Sequence, residues 1–194
     1  MILSDSEIFR LVDSGQLGID PFTAQQQRKM GISHGLSSAG YDIRLGPTLD
    51  ICGNFPTVIE PANFDPKVLR RVTAQNFHEF RIPAMGYALG YSLERIRMPR
   101  FLVADCLGKS TYARCNVIIN VTPIEPEWEG HLTIEIANCS QMPVQLYPGA
   151  GIAQLRFHRL DGEVSVSYAD RKGKYQGQPA EPIPARHEEE KPPC

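Results

Sequence analysis

The chain is cut into many short runs of β-branched or alternating residues, each closed within a few positions by Pro, Gly or Asn, and such a chain has few ways to bury itself. Runs at 41–46, 48–52, 58–60, 77–82, 87–93, 117–122, 131–138, 144–146, 153–159 and 164–168 are predicted as strands. So many short strands with few helices predict a mainly β fold, a barrel or a sandwich. Helices are expected at only a few places. Ser4-Asp5-Ser6-Glu7 ahead of Ile8, Phe9, Leu11 and Val12 predicts a capped amphipathic helix ending at Gly15. Residues 65–73 suggest a short helix, 25–29 read as helix or loop, and 35–40 are too rich in small residues for a strand or a stable helix. Residues 1–178 are expected to form one β domain. Residues 179–194, rich in Pro and Glu with little to bury, are set apart as a tail outside the fold.

With 20 basic and 22 acidic residues among 194, the formal charge is -2. No basic field points to nucleic acid, although local clusters can still hold a small anion. The first residues turn acidic at once and no apolar run approaches the roughly 20 residues of a membrane span, so a cytoplasmic protein without a leader is expected. The five cysteines, Cys52, Cys106, Cys115, Cys139 and Cys194, form no close pair and read as reduced apolar residues. His187-Glu188-Glu189 matches half of a zinc-deaminase signature, but no Pro-Cys-x-x-Cys follows it. No zinc is expected.

The chemistry concentrates between residues 106 and 138. Gly108-Lys109-Ser110-Thr111-Tyr112-Ala113-Arg114 predicts a turn opening a short helix, with Ser110 as N-cap and Arg114 one turn later on the same face. Hydroxyl, cation and free backbone N–H groups can converge there on an anion, most often a phosphate. An ordinary capped surface helix fits the same residues equally well. Val117-Ile118-Ile119-Asn120-Val121-Thr122 is continuous and β-branched, which predicts a strand buried on both faces and stopped by Pro123. In Ile124-Glu125-Pro126-Glu127-Trp128-Glu129-Gly130 two prolines stiffen a loop around the chain's only tryptophan. Trp128 reads either as a flat wall for a planar ligand or as a core plug. The run 131–138 alternates, with Leu132, Ile134 and Ile136 on one face and His131, Thr133 and Glu135 on the other. Glu is a poor strand former. Either this face is wet, or Glu135 is aimed into a pocket where burial raises its pKa toward proton-transfer duty. Residues 169–178, basic and aromatic, have the make-up of a lid over a charged ligand.

These motifs, in this order, resemble the dCTP deaminase branch of the dUTPase-like superfamily. The resemblance rests on Gly108-Lys109-Ser110-Thr111-Tyr112-Ala113-Arg114, Asn120-Val121-Thr122-Pro123, Glu125-Pro126-Glu127-Trp128-Glu129-Gly130 and Ile134-Glu135. Gly40-Tyr41-Asp42-Ile43-Arg44, Ser167-Tyr168-Ala169-Asp170-Arg171 and Lys174-Tyr175-Gln176-Gly177-Gln178 extend it across residues 1–178. It implies a homotrimer of distorted, jelly-roll-like β-barrels with active sites between subunits. It further implies hydrolytic deamination of dCTP to dUTP and ammonia, with Glu135 activating water at C4 of cytosine. Lys109, Ser110, Thr111 and Arg114 would serve the triphosphate and the reacting centre, Ser110 and Arg114 from a neighbouring subunit. Val121 and Pro123 would read the base edge, Glu125 the 3′-hydroxyl, and Trp128 would wall the sugar. Tyr168, Lys174 and Gln178 would contact phosphates, with magnesium carried by the triphosphate. Feedback by dTTP or dUTP goes with the family. Two positions depart from its common pattern: Glu125 stands where relatives often carry Asp, and Pro123 where many carry a small residue.

Three rivals share the fold. A dUTP pyrophosphatase would close its site with a Gly-rich, Phe-bearing tail and use a loop Asp as base, whereas here the tail is rich in Tyr, Arg and Lys. A bifunctional enzyme would carry the product on to dUMP. A non-catalytic nucleotide-binding relative would have lost Glu135, Ser110 or Arg114, and this chain has all three.

Overall fold

The computed structural model describes residues 1–53, 58–74 and 79–186. Helix α1 (Asp5–Asp13) starts where the capping signal predicts, with Ser4 Oγ accepting from Glu7 N at 3.4 Å, and it buries Ile8 and Leu11. The strands follow as β1 (Gly18–Asp20), β2 (Gln27–Lys29), β3 (Ile32–Ser37), β4 (Gly40–Arg44), β5 (Thr48–Cys52), β6 (Leu69–Thr73), β7 (Phe80–Ile82), β8 (Tyr87–Arg97) and β9 (Leu102–Gly108). After α2 (Ser110–Arg114) come β10 (Val117–Asn120), β11 (Glu129–Asn138), β12 (Val144–Leu146) and β13 (Gly151–Arg159).

The strand pairings are antiparallel. One sheet runs β10-β11-β8-β5-β6 with β1 beside β8, a second runs β2-β3-β4-β13-β9, and β7 pairs with β12. A single core cluster joins Tyr41, Ile43, Leu155 and Phe157 of the second sheet to Leu49, Ile96, Ile134 and Ile136 of the first. The mainly β expectation is met, as open sheets sharing one core rather than as a closed ring of strands. The sheets are also tied by a buried ion pair. Glu94 of β8, fully buried, accepts from Arg44 Nε at 2.6 Å and from Arg44 N at 2.8 Å.

Several expectations need correction. Residues 25–29 and 35–40 contribute to the β2-β3 and β3-β4 hairpins, pairing Gln27 with His34 and Leu36 with Tyr41. The small residues serve close approach there rather than breaking the strand, since a Cβ on Gly40 would run into Leu155 O. Residues 65–73 form one 3-10 turn at Pro66–Val68 and then β6, because pairing with β5 outweighs local preference. Residues 58–60 and 164–168 are irregular, the latter because side chains rather than a neighbouring strand take up its backbone groups. Strand β10 lies at a sheet edge, so only Val117 and Ile119 are buried while Ile118 stays 57 % exposed. Lys109, not Ser110, occupies the N-cap of α2. Residues 179–186, set apart from the fold in the sequence reading, lie against the first sheet, with Pro182 buried and Ile183 N donating to Thr133 Oγ1 at 3.2 Å. The start of the run at 77–82 and His187-Glu188-Glu189 fall outside the described residues. Among the described residues no helix is long and apolar enough to cross a membrane.

Candidate active site

Strand β11 alternates as expected, burying Leu132, Ile134 and Ile136 and leaving His131, Thr133 and Glu135 on the other face. Register fixes where Glu135 stands, opposite Asn120 of β10 and Leu89 of β8. That face is covered. Glu135 lines a cavity of about 510 Å³ whose wall includes Val121, Thr122, Pro123, Glu125 and Trp128 from the loop after β10, Tyr87 and Leu89 from β8, and Tyr168, Tyr175, Gln178 and Ile183 from the chain beyond β13. Glu135 Oε2 is buried without a hydrogen-bond partner among the described residues. Burial pushes its carboxyl up to about 7, opposed only by a hydrogen bond from the backbone.

The loop that carries Trp128 is braced from several sides. Trp128 keeps only 6 % of its surface, and its Nε1 donates to Tyr175 O at 3.0 Å. It is a core residue, as one of the two readings expected, and it also lines the cavity. Tyr168 N donates to Pro126 O at 3.1 Å, and the Tyr168 hydroxyl accepts from Tyr175 N at 3.0 Å. Glu125 is ion-paired with Arg171. Gln178 Oε1 accepts from Thr133 N at 3.1 Å and from Thr133 Oγ1 at 2.9 Å.

Of the residues singled out in the sequence, Glu135, Val121, Pro123, Glu125, Trp128, Tyr168 and Gln178 therefore meet around one cavity, whereas Lys109, Ser110, Thr111, Arg114 and Lys174 do not line it. Ser110, Thr111 and Arg114 stand exposed on α2. Lys109 points the other way, its Nζ 2.5 Å from Asp42 Oδ2 in a nearly buried pair. Asp42 also accepts from Ser33 Oγ, Gln26 Nε2 and Gln154 Nε2. Lys174 is exposed, with Nζ 3.5 Å from Arg186 O. Sequence reasoning missed Tyr87, Tyr175 and Ile183. Tyr175 lay within a recognised motif; Tyr87 gave no signal beyond opening a predicted strand.

Two carboxyls thus line an apolar, aromatic-walled pocket, Glu125 paired with Arg171 and Glu135 with its Oε2 unpartnered. Among the described residues no group of three or more His, Cys, Asp or Glu side chains gathers, and Cys52, Cys106, Cys115 and Cys139 are free thiols.

Residues 2–160 match the model of the dCTP deaminase-like family. A dCTP deaminase of Helicobacter pylori (strain P12) is 48 % identical over 160 residues, covering 82 % of this chain and 85 % of that one. A dCTP deaminase of Chromobacterium violaceum is 43 % identical over 189 residues, covering 94 % and 98 %. The crystal structure of 2′-deoxycytidine 5′-triphosphate deaminase from Agrobacterium tumefaciens shares the fold with a TM-score of 0.61 at 18 % identity, over 81 % of this chain and 47 % of that longer one. The family match spans the strands, the turn before α2, the Trp128 loop and Glu135 alike, and this chain belongs to the dCTP deaminase-like family.

Proposed function

We propose that this protein hydrolyses dCTP to dUTP and ammonia, with Glu135 as the group that moves protons and no zinc at the reacting centre. The observation that carries the reading is the Glu135 carboxyl, part-buried with its Oε2 lacking a hydrogen-bond partner, raised to about 7 at the wall of an aromatic-lined cavity. In its ionised form it takes a proton from water as the oxygen attacks C4 of cytosine. It then returns that proton to N3, and a further transfer to the exocyclic amine lets ammonia leave as the C4–O bond becomes a carbonyl. One carboxyl can serve as base and then acid when its pKa lies near the working pH. The likeness to enzymes named dCTP deaminase supplies the substrate.

In the same reading Val121 and Pro123 meet the base edge, Glu125 the 3′-hydroxyl and Trp128 the sugar, with Tyr168 and Gln178 closing the far side. Ser110 and Arg114 reach the site from a neighbouring subunit of a homotrimer, which accords with their exposure on α2, away from the cavity of their own chain. Lys109, Thr111 and Lys174 serve the triphosphate, which arrives as its magnesium complex. Feedback by dTTP or dUTP and a cytoplasmic location go with this assignment.

Incubating the purified protein with dCTP, dUTP or CTP in magnesium tests it. Ammonia and dUTP from dCTP, with activity that survives a zinc-selective chelator and requires magnesium, are expected. Appearance of dUMP would reveal a second, phosphate-cleaving activity, and absence of ammonia from dCTP would sink the reading.

A further inference from the structure

Arg100 does not line the Glu135 cavity, yet its guanidinium holds two of the segments that do. It lies in the turn between β8 and β9. Nη1 donates to Glu127 Oε2 at 2.9 Å, and Nη2 donates to Asp170 Oδ2 at 2.5 Å and to Ser165 O at 3.2 Å. Nε donates to Val164 O at 3.0 Å. One planar fork thus joins the loop carrying Trp128 to the segment carrying Tyr168.

Each end of this clamp sits within two positions of a cavity residue. Glu127 precedes Trp128 and has φ +60°, a conformation that a residue with a Cβ keeps only when its surroundings hold it there. Asp170 closes a reciprocal turn, its carboxylate accepting from Ser167 N at 3.0 Å and its own N–H donating to Ser167 Oγ at 3.2 Å. Tyr168 lies inside that turn and bonds back to Pro126 O. The turn that bears Arg100 also supports the tryptophan directly, Met98 N donating to Trp128 O at 3.0 Å.

We propose that Arg100 is a positioning residue of this active site, clamping Glu127 to Asp170 so that the Trp128 wall and the Tyr168 wall stand at the separation that grips the nucleoside of the substrate. The proposal rests on the deaminase reading for what fills the cavity, but the clamp can be tested without substrate. Its ion pairs are part-exposed, with 29 % of the Arg100 side chain open to solvent, so it acts on geometry more than on folding. A lysine in its place brings one charge and no fork, and satisfies at most part of the set.

Arg100→Ala and Arg100→Lys, compared with the unaltered protein, supply the test. Steady-state kinetics with magnesium–dCTP should show KM raised about tenfold in Arg100→Ala while kcat stays within about threefold, with only partial recovery in Arg100→Lys. Because Trp128 is the only tryptophan, its emission reports the wall directly. It should shift to the red in Arg100→Ala with no nucleotide present. Glu127→Gln and Asp170→Asn each weaken one arm and should each give part of both effects, and they carry the test if Arg100→Ala does not fold. Unchanged KM and emission in folded Arg100→Ala, or in both single-arm variants, overturns the proposal. An unaltered protein inactive on dCTP would instead overturn the deaminase reading, and the emission measurement would still decide the clamp.

Discussion

Glu135 shows how one residue acquires its chemistry from its neighbours. A carboxyl on a strand face ordinarily meets water, but here Leu89, Tyr87 and the Trp128 loop cover it and burial raises it to about 7. Glu135→Gln should therefore keep the fold and lower turnover by about 10²–10⁴-fold, since the amide cannot take a proton from water. Ammonia release near that of the unaltered protein would end this mechanism. The pH dependence follows from the same shift. The ionised form is the base, so kcat/KM should climb through about pH 7, a limb that Glu135→Gln lacks. Stability runs the opposite way. The folded carboxyl sits above its usual 4.5, so the native state holds a proton that the unfolded chain releases between those values. Its favourable contribution is complete below 4.5 and is lost as pH rises through 7. Urea unfolding should show Glu135→Gln gaining on the unaltered protein from pH 5 to 8, by on the order of 2 kcal/mol once its part-exposure is allowed for. In the sequence, alternation and the poor strand propensity of Glu singled out Glu135, and the family resemblance gave it a role. Lys109 shows the limit of such reading, because its partner Asp42 is 67 residues away and only the fold brings them together.

At the level of elements, β11 was legible because its clean period of two gives it one face to bury, and β5, β12 and β13 because turn residues bound short apolar runs. The misread segments take their conformation from partners outside their own run of sequence, some in a neighbouring hairpin strand and some far along the chain. The glycines of β3 and β4 look like breakers until Leu155 is seen to press on Gly40. Residues 164–168 look like a strand until Arg100 takes up their carbonyls. The pairing of β4 with β8 through Arg44 and Glu94 is of the same kind, and it carries a prediction. Arg44→Ala would leave the Glu94 carboxylate buried without its cation, a loss of about 3–5 kcal/mol in urea unfolding. Arg44→Ala combined with Glu94→Leu should recover a good part of that loss, because removing both charges also removes the desolvation cost. If Arg44→Ala unfolds with the midpoint of the unaltered protein, the pair does not hold the sheets together.

For the whole molecule, the cavity of a single chain accounts for the base and sugar side of the proposed site but not for the cations that a triphosphate needs. The residues of that type in the recognised motif, on and beside α2, sit elsewhere. Next to α2, the edge strand β10 exposes Ile118, and Leu107 of β9 is 43 % exposed. Apolar exposure along an unpaired edge suits burial against another copy of the chain. A cyclic trimer would then complete each site by placing Ser110 and Arg114 of one subunit against Glu135 of the next. The consequence can be measured by complementation. Arg114→Ala and Glu135→Gln homotrimers should each be nearly inactive. Unfolded together and refolded, they form mixed rings. In every ring of two chains of one kind and one of the other, a single junction of the three joins the intact Glu135 of an Arg114→Ala chain to the intact Arg114 of a Glu135→Gln chain, so roughly one site in three of the mixed rings, and about one in four of all sites after equal random mixing, regains activity. Recovery at that level fixes the two residues on different subunits. If native mass spectrometry verifies mixed trimers and none of them turns over dCTP, both residues belong to one subunit and the shared-site geometry is wrong.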